Sequence, residues 1–206
     1  SVVLFPKYNL TYSQVNAQEY KRYVGGTVEN TLFVILPFSA LFSAFAVPII
    51  HVLFESGNFN TVSTQMTSSV FAMYALGMAG FCVLDLINKA YYTMHKTLTP
   101  LLINAVVLAL NIALNLVFRS GQSCGLIART TAVSLTVGGV IALVCFFRDT
   151  RGSLRTGKLL KNLAAAVLTG AAMWGCETLL YRPELSKLLT LLEFCALGLV
   201  GIGLYA

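Results

Sequence analysis

The chain has 206 residues, of which 57% are hydrophobic and 11% charged, with a formal net charge of +6 and a mean hydropathy of +0.77. A soluble domain carries about 25% charged residues, so this composition cannot cover a water-facing surface and points to a bilayer. The positive balance does not mark a nucleic-acid binder, because the basic residues sit between hydrophobic runs.

In chain order, the opening SVVLFP (Ser1–Pro6) is too short to span and resembles the tail of a helix cut by the start of the chain. The polar stretch Lys7–Val28 then reads as a connection. A bilayer core of about 30 Å needs about 20 apolar residues of helix. Six segments qualify: Thr31–Phe54, Met66–Met94, Leu101–Phe118, Gly125–Phe147, Leu163–Tyr181 and Leu188–Ala206. Barrel strands would alternate in and out, whereas these runs are continuously apolar. The fold class is therefore an all-α polytopic membrane protein with six transmembrane helices. Residues 1–28 form a truncated helix and connection, 29–147 four spans, 148–162 a basic loop, and 163–206 two further spans.

Loop charge orients the bundle. With Lys7–Val28 on the cytoplasmic side, that side also receives Lys96, Arg148, Arg151, Arg155, Lys158 and Lys161, whereas the opposite side receives Arg119, Arg182 and Lys187. Positive residues stay inside, so both ends of the chain are expected in the cytoplasm. The run RDTRGSLRTGK (Arg148–Lys158) serves this topology and is the best candidate for contact with anionic lipid head groups.

Ionisable groups inside a span are costly enough to suggest function. Asp85, Asn88 and Lys89 lie in VLDLINKAYY, and Asp85 and Lys89 are at i,i+4, where they can pair and then either lock the bundle or face a watery passage. Arg129 lies about one turn inside the outer boundary, within snorkelling reach of water or of a phosphate. Pro37 and Pro48 are expected to bend the first span, and Gly77 and Gly80 to interrupt the second. In INAVVLALNIALNLVF (Ile103–Phe118), the amides of Asn104, Asn111 and Asn115 fall within about 40° of one another on a helix. Such a stripe is suited to hydrogen bonding between helices.

Catalytic and metal signatures are missing. Cys82, Cys124, Cys145, Cys176 and Cys195 show no CxxC spacing, His51 and His95 lack partners at ligand spacing, and there is no GxSxG or base–nucleophile constellation. An enzyme is not expected.

Two stretches resemble a known family. PIIHVLFESGNF (Pro48–Phe59) is similar to the P-I-I-x-x-L-F-x-x-G-x-F loop of the MurJ/MviN family of lipid II flippases. ALGMAGFCVLDLINKAYYTMHKTLTP (Ala75–Pro100) resembles that family's A-L-G-x-x-x-F…A-x-Y-A-x-x-x-x-x-T-P pattern, and the N-x-x-x-N helix and GLIARTT follow in order. The chain departs from the family at Asp85, where relatives are usually basic, and at Lys96, where an acidic residue is common. The resemblance implies two pseudo-symmetric lobes in a molecule of about fourteen helices, of which this chain would hold the last six. It implies alternating-access transport of an undecaprenyl-pyrophosphate-linked peptidoglycan precursor across the bacterial cytoplasmic membrane, in partnership with membrane lipids and an amino-terminal lobe. A related exporter of polysaccharide-lipid intermediates or drugs, or a non-transporting scaffold, are the alternatives. Some members carry a sodium site in this lobe; carried over, its ligands would be Asn111, Asn115, the Ile127 carbonyl and the Thr131 hydroxyl. The second side chain is neutral here, which weakens a cation site. No other cofactor is implied.

Overall fold

Apolar residues four apart, Tyr20, Val24 and Val28, begin a buried helical stripe well before the first continuously greasy run. The computed structural model describes residues 17–56, 59–118 and 124–150. They form five helices: α1 (Ala17–Ala44), α2 (Ala46–Phe54), α3 (Thr61–Thr93), α4 (Leu98–Val117) and α5 (Cys124–Thr150). Four stretches, Glu19–Ala44, Thr61–Thr93, Leu98–Val117 and Gly125–Asp149, are long and apolar enough to cross a membrane. These four stretches overlap the expected segments Thr31–Phe54, Met66–Met94, Leu101–Phe118 and Gly125–Phe147 with shifted bounds, and the first of those segments is divided between α1 and α2. The expected spans Leu163–Tyr181 and Leu188–Ala206, the opening Ser1–Pro6 and most of the basic run Arg148–Lys158 lie outside the described residues.

Two expectations are corrected. The stretch Lys7–Val28 is helical from Ala17 onward, because Tyr20, Val24 and Val28 are buried on one side while Lys21 and Arg22 sit on the other side of the same turns. The glycines Gly77 and Gly80 do not interrupt α3, which runs unbroken for 33 residues. They are seams. A Cβ on Gly80 would sit 2.5 Å from the Thr136 Cα, and one on Gly77 2.9 Å from the Ala132 Cα, so α3 and α5 touch backbone to backbone.

The first rod does bend, at Phe45. Pro48 has no N–H to give the Ala44 carbonyl and its ring crowds that carbonyl, so α1 ends there and α2 restarts. Pro37, by contrast, lies within continuous α1. At the far end of α3 the chain reverses through a left-handed His95 (φ 58). The Lys96 N–H donates to the Tyr91 carbonyl and the His95 N–H to the Tyr92 carbonyl, both at 3.1 Å, which closes the helix end before α4 departs. Pro100 falls in the first turn of α4, where no donor is needed.

Cross-helix contacts give an up–down bundle. Tyr20 meets Ala90 and Thr93, and Ser39 donates to the Ala75 carbonyl, so α1 runs antiparallel to α3. Tyr91 packs edge-on against Phe146 with ring centroids 5.5 Å apart, so α3 and α5 run the same way. The apolar core gathers Tyr20, Val24, Ile87, Tyr91, Ile103 and Phe146 near the Lys96 end. At 1.5 Å per residue the 20 residues of α4 match a bilayer core of about 30 Å. The outward residues of α4, including Leu101, Leu102, Leu108, Ile112 and Leu116, are exposed as a lipid-facing surface requires.

Candidate functional site

Polar side chains occur in two groups inside this bundle, and α4 contributes to both. Its inward face carries Ile103, Asn104, Val107, Asn111 and Asn115. Because that face meets α3 at one end and α5 at the other, the asparagine stripe divides between two partners.

The first group joins α4 to α5. Asn111 Nδ2 donates to Thr131 Oγ1 at 3.2 Å, and Asn115 Nδ2 donates to Asn111 Oδ1 at 3.0 Å. Thr130 Oγ1 lies 2.6 Å from Asn115 Oδ1 and 2.8 Å from the Ile127 carbonyl, which also accepts from Thr131 Oγ1 at 2.9 Å. All four residues of the expected sodium set therefore come together. Thr130 completes the group and was not anticipated; beside Thr131 in the sequence, nothing distinguished it as the second inward hydroxyl. The donor set is wholly oxygen and wholly neutral, which suits a hard monovalent cation in type. Each amide oxygen already accepts a proton donor, so the network also stands closed without an ion.

The second group lies on α3. Lys89 Nζ meets Asp85 Oδ2 at 2.5 Å, the i,i+4 pair the spacing predicts. Asn88 Nδ2 donates to Asn104 Oδ1 at 3.3 Å, while the buried Asn88 Oδ1 has no partner. The Asn88–Asn104 contact fixes depth: one turn further along, Asp85 comes level with about the middle of α4 and so of the bilayer. The Asp85 side chain is 35% exposed and Lys89 19%. A pair at that depth must face water or another protein surface, since hydrocarbon would not accept it.

Arg129 does not join either group. It is exposed on the first turns of α5, and among the described residues none pairs with it. Ala132 meets Gly77 and Thr136 meets Gly80 on the parallel helix, which puts Arg129 about three turns of helix from Asp85.

A third constellation escaped the sequence reading. Glu55, in the α2–α3 connection, accepts from Thr64 Oγ1 at 2.6 Å and from Thr61 Oγ1 at 3.4 Å, and His51 Nδ1 lies 2.8 Å from its Oε2. Thr64 and then His51 hold the Glu55 carboxyl below the usual carboxylate range. His51 is thus a partner of Glu55 at i,i+4, not an isolated ring, and Asn60 caps α3 beside them by accepting from the Ser63 N–H at 3.0 Å. These contacts fasten the end of α2 to the start of α3, and the stretch expected to be a loop is helical from Pro48 to Phe54. Among the described residues no group of three His, Cys, Asp or Glu side chains could hold a metal.

Comparison with known proteins agrees with the order of these elements. The family model described as lipid II flippase MurJ matches residues 1–197. The probable lipid II flippase MurJ of Rhizobium meliloti (strain 1021) is 29% identical over 71% of this chain and 27% of its own length. That of Vibrio cholerae serotype O1 is 22% identical over 98% of this chain and 39% of its own length. The chain thus spans well under half the length of these relatives. A solved structure, lipid II flippase MurJ in an inward closed conformation, superposes with a TM-score of 0.75 at 20% identity, over 97% of this chain and 41% of that one. The chain has the all-α, multi-pass membrane fold of that structure, and it belongs to the lipid II flippase MurJ family.

Proposed function

We propose that this chain is the carboxy-terminal part of a flippase that moves lipid-linked peptidoglycan precursor across the bacterial cytoplasmic membrane by alternating access. The observation that carries this reading is the mid-bilayer Asp85–Lys89 pair, partly exposed on a helix otherwise built for lipid and protein. A hydrated path between this lobe and an amino-terminal one gives those groups the polar surroundings their depth demands. Along such a path, Lys89 contacts the passing pyrophosphate-sugar head group of an undecaprenyl-linked precursor. Arg129, near the opposite boundary, meets head-group phosphate at the exit. The glycine seam makes α3 and α5 a rigid pair, so the lobe rocks as one body against its partner. The basic residues Lys21, Arg22, Lys96 and Arg148 gather at one end of the bundle, and retention of positive charge assigns that end to the cytoplasm.

Reconstitution tests this. The full-length polypeptide in vesicles is expected to exchange a labelled polyisoprenyl-pyrophosphate lipid between leaflets, and Lys89→Gln to slow that exchange. No leaflet exchange in the unaltered protein would leave a membrane scaffold as the better reading, and exchange of other polysaccharide lipids at equal rate would favour a broader exporter.

A second reading attaches to the amide–hydroxyl network, because five oxygens converge between α4 and α5. Sodium held by Asn111, Asn115, Thr131 and the Ile127 carbonyl would cross-link the two helices. Sodium-dependent thermal stabilisation is expected in the full-length protein and lost in Asn111→Leu. Identical stability in sodium and in a large inert cation removes the ion from the account.

A further inference from the structure

The Asp85–Lys89 pair does more than sit at mid-bilayer; its surroundings show which partner is replaceable. At 100° per residue, Tyr74, Phe81, Asp85 and Tyr92 share one stripe of α3 within about 40°. Tyr74, Phe81 and Tyr92 are 47%, 53% and 43% exposed, so none of the described helices covers this stripe. Lys89 and Asn88 flank it on either side. The Lys89 side chain is the less exposed of the pair and the Asp85 side chain the more exposed. An ammonium has three N–H donors, and among the described residues Asp85 is the one acceptor it meets. On the other flank, Asn88 is committed to α4 through its bond to Asn104.

We infer that Asp85 is a tethered competitor for Lys89: its carboxylate occupies the ammonium until a phosphate-bearing head group displaces it, and so sets how strongly this stripe takes an anion. Three physical points carry the inference. A lone ammonium at this depth is too costly, so the resting lobe needs a counter-charge. A single i,i+4 carboxylate contact on an open face is weak and exchangeable. A head group with several phosphate oxygens can engage all three N–H groups of Lys89 at once, which the single contact from Asp85 cannot do. Asp85 is therefore a specificity-determining residue: the pair has no net charge at rest, which disfavours a lone small anion, and it yields to a ligand that brings several acceptors together.

The inference rests on the transport reading only in placing the stripe on the substrate path. Its test is binding, measured apart from leaflet exchange, with the full-length polypeptide in nanodiscs. The probes are inorganic pyrophosphate and, separately, vesicles containing a polyisoprenyl-pyrophosphate lipid. Asp85→Asn keeps size and hydrogen-bonding capacity and is expected to tighten pyrophosphate binding by up to about fivefold, the range for losing a partly exposed ion-pair competitor. Asp149→Asn, which removes equal charge beside Lys96 at the bundle end, is expected to change nothing. Lys89→Gln weakens binding, and Asp85→Asn combined with Lys89→Gln matches Lys89→Gln alone. The same order is expected with the lipid; tightening confined to free pyrophosphate would assign the site to a soluble phosphate. Unchanged or weaker binding in Asp85→Asn overturns the inference, as does equal tightening by Asp149→Asn or tightening that survives the loss of Lys89. Absence of leaflet exchange with this binding pattern intact would sink the transport reading and leave the competitor role standing.

Discussion

The amide–hydroxyl network between α4 and α5 and the Asp85–Asn88–Lys89 group on α3 use similar residues in similar helices, yet they are opposite in kind. In the first, every amide oxygen meets a donor and the members bridge two helices. In the second, a buried oxygen is left without a donor and an ion pair is closed within one helix, on a face open between neighbours. A closed polar network in a bilayer locks packing, because breaking it strands groups where no water can reach them. An ion pair on an uncovered face can still exchange partners. The difference teaches that polar residues in spans are sorted by satisfaction rather than by type.

The seam shared by both groups sets the scale of the effects to expect. Gly80→Ala places a Cβ against the Thr136 backbone, which cannot rotate away, and is expected to cost about 3 kcal/mol and to loosen both groups at once. A thermal midpoint unchanged in detergent would show that α3 and α5 do not approach as closely as described. The contrast itself is sharpened by a matched pair of truncations. Asn111→Leu strands the Asn115 amide and removes the bridge to Thr131, for a loss of about 1 kcal/mol. Asn88→Leu gives up one long bond but also removes an unsatisfied oxygen, and should stay within about 0.5 kcal/mol of the parent. Equal losses in the two variants would break the distinction.

The smallest effect concerns pH. Neither the Asn–Thr network nor its neighbours within it titrate, so their contribution is flat with pH. Glu55 behaves differently, because Thr64 and His51 depress its carboxyl below the ordinary value of 4.5. A depressed carboxyl stabilises the fold above its unfolded-state value, and that contribution fades as pH falls through the lower folded-state value. Proteolysis of the α2–α3 connection should therefore accelerate modestly below about pH 4.5, and Glu55→Gln should abolish that acid sensitivity. Acid sensitivity persisting in Glu55→Gln would place the responsible group elsewhere.

Much of this was legible in the sequence. Continuous apolar runs of bilayer length place α3, α4 and α5 within a few residues, since hydrocarbon leaves a chain no choice but to satisfy its own backbone. The i,i+4 spacing of Asp85 and Lys89, and the amide stripe of α4, are properties of one helix and need no fold to be seen. The start of α1 was hidden by Lys21 and Arg22, whose turns also carry the buried Tyr20 and Val24; a polar outer face outweighed a four-residue apolar repeat. The glycines of α3 are ambiguous in sequence, because the same residue that weakens a helix also lets another helix approach.

The order of the spans and the chemistry each one contains were thus set by the polypeptide alone, because period and hydropathy act locally. Tertiary structure decided which polar atoms end up satisfied: Thr130 joins Thr131 to complete the α4–α5 network, Asn104 turns to α3, and Asn88 Oδ1 is buried without a donor. Those outcomes depend on which helix lies across from which, at separations that only the close glycine contact between α3 and α5 fixes.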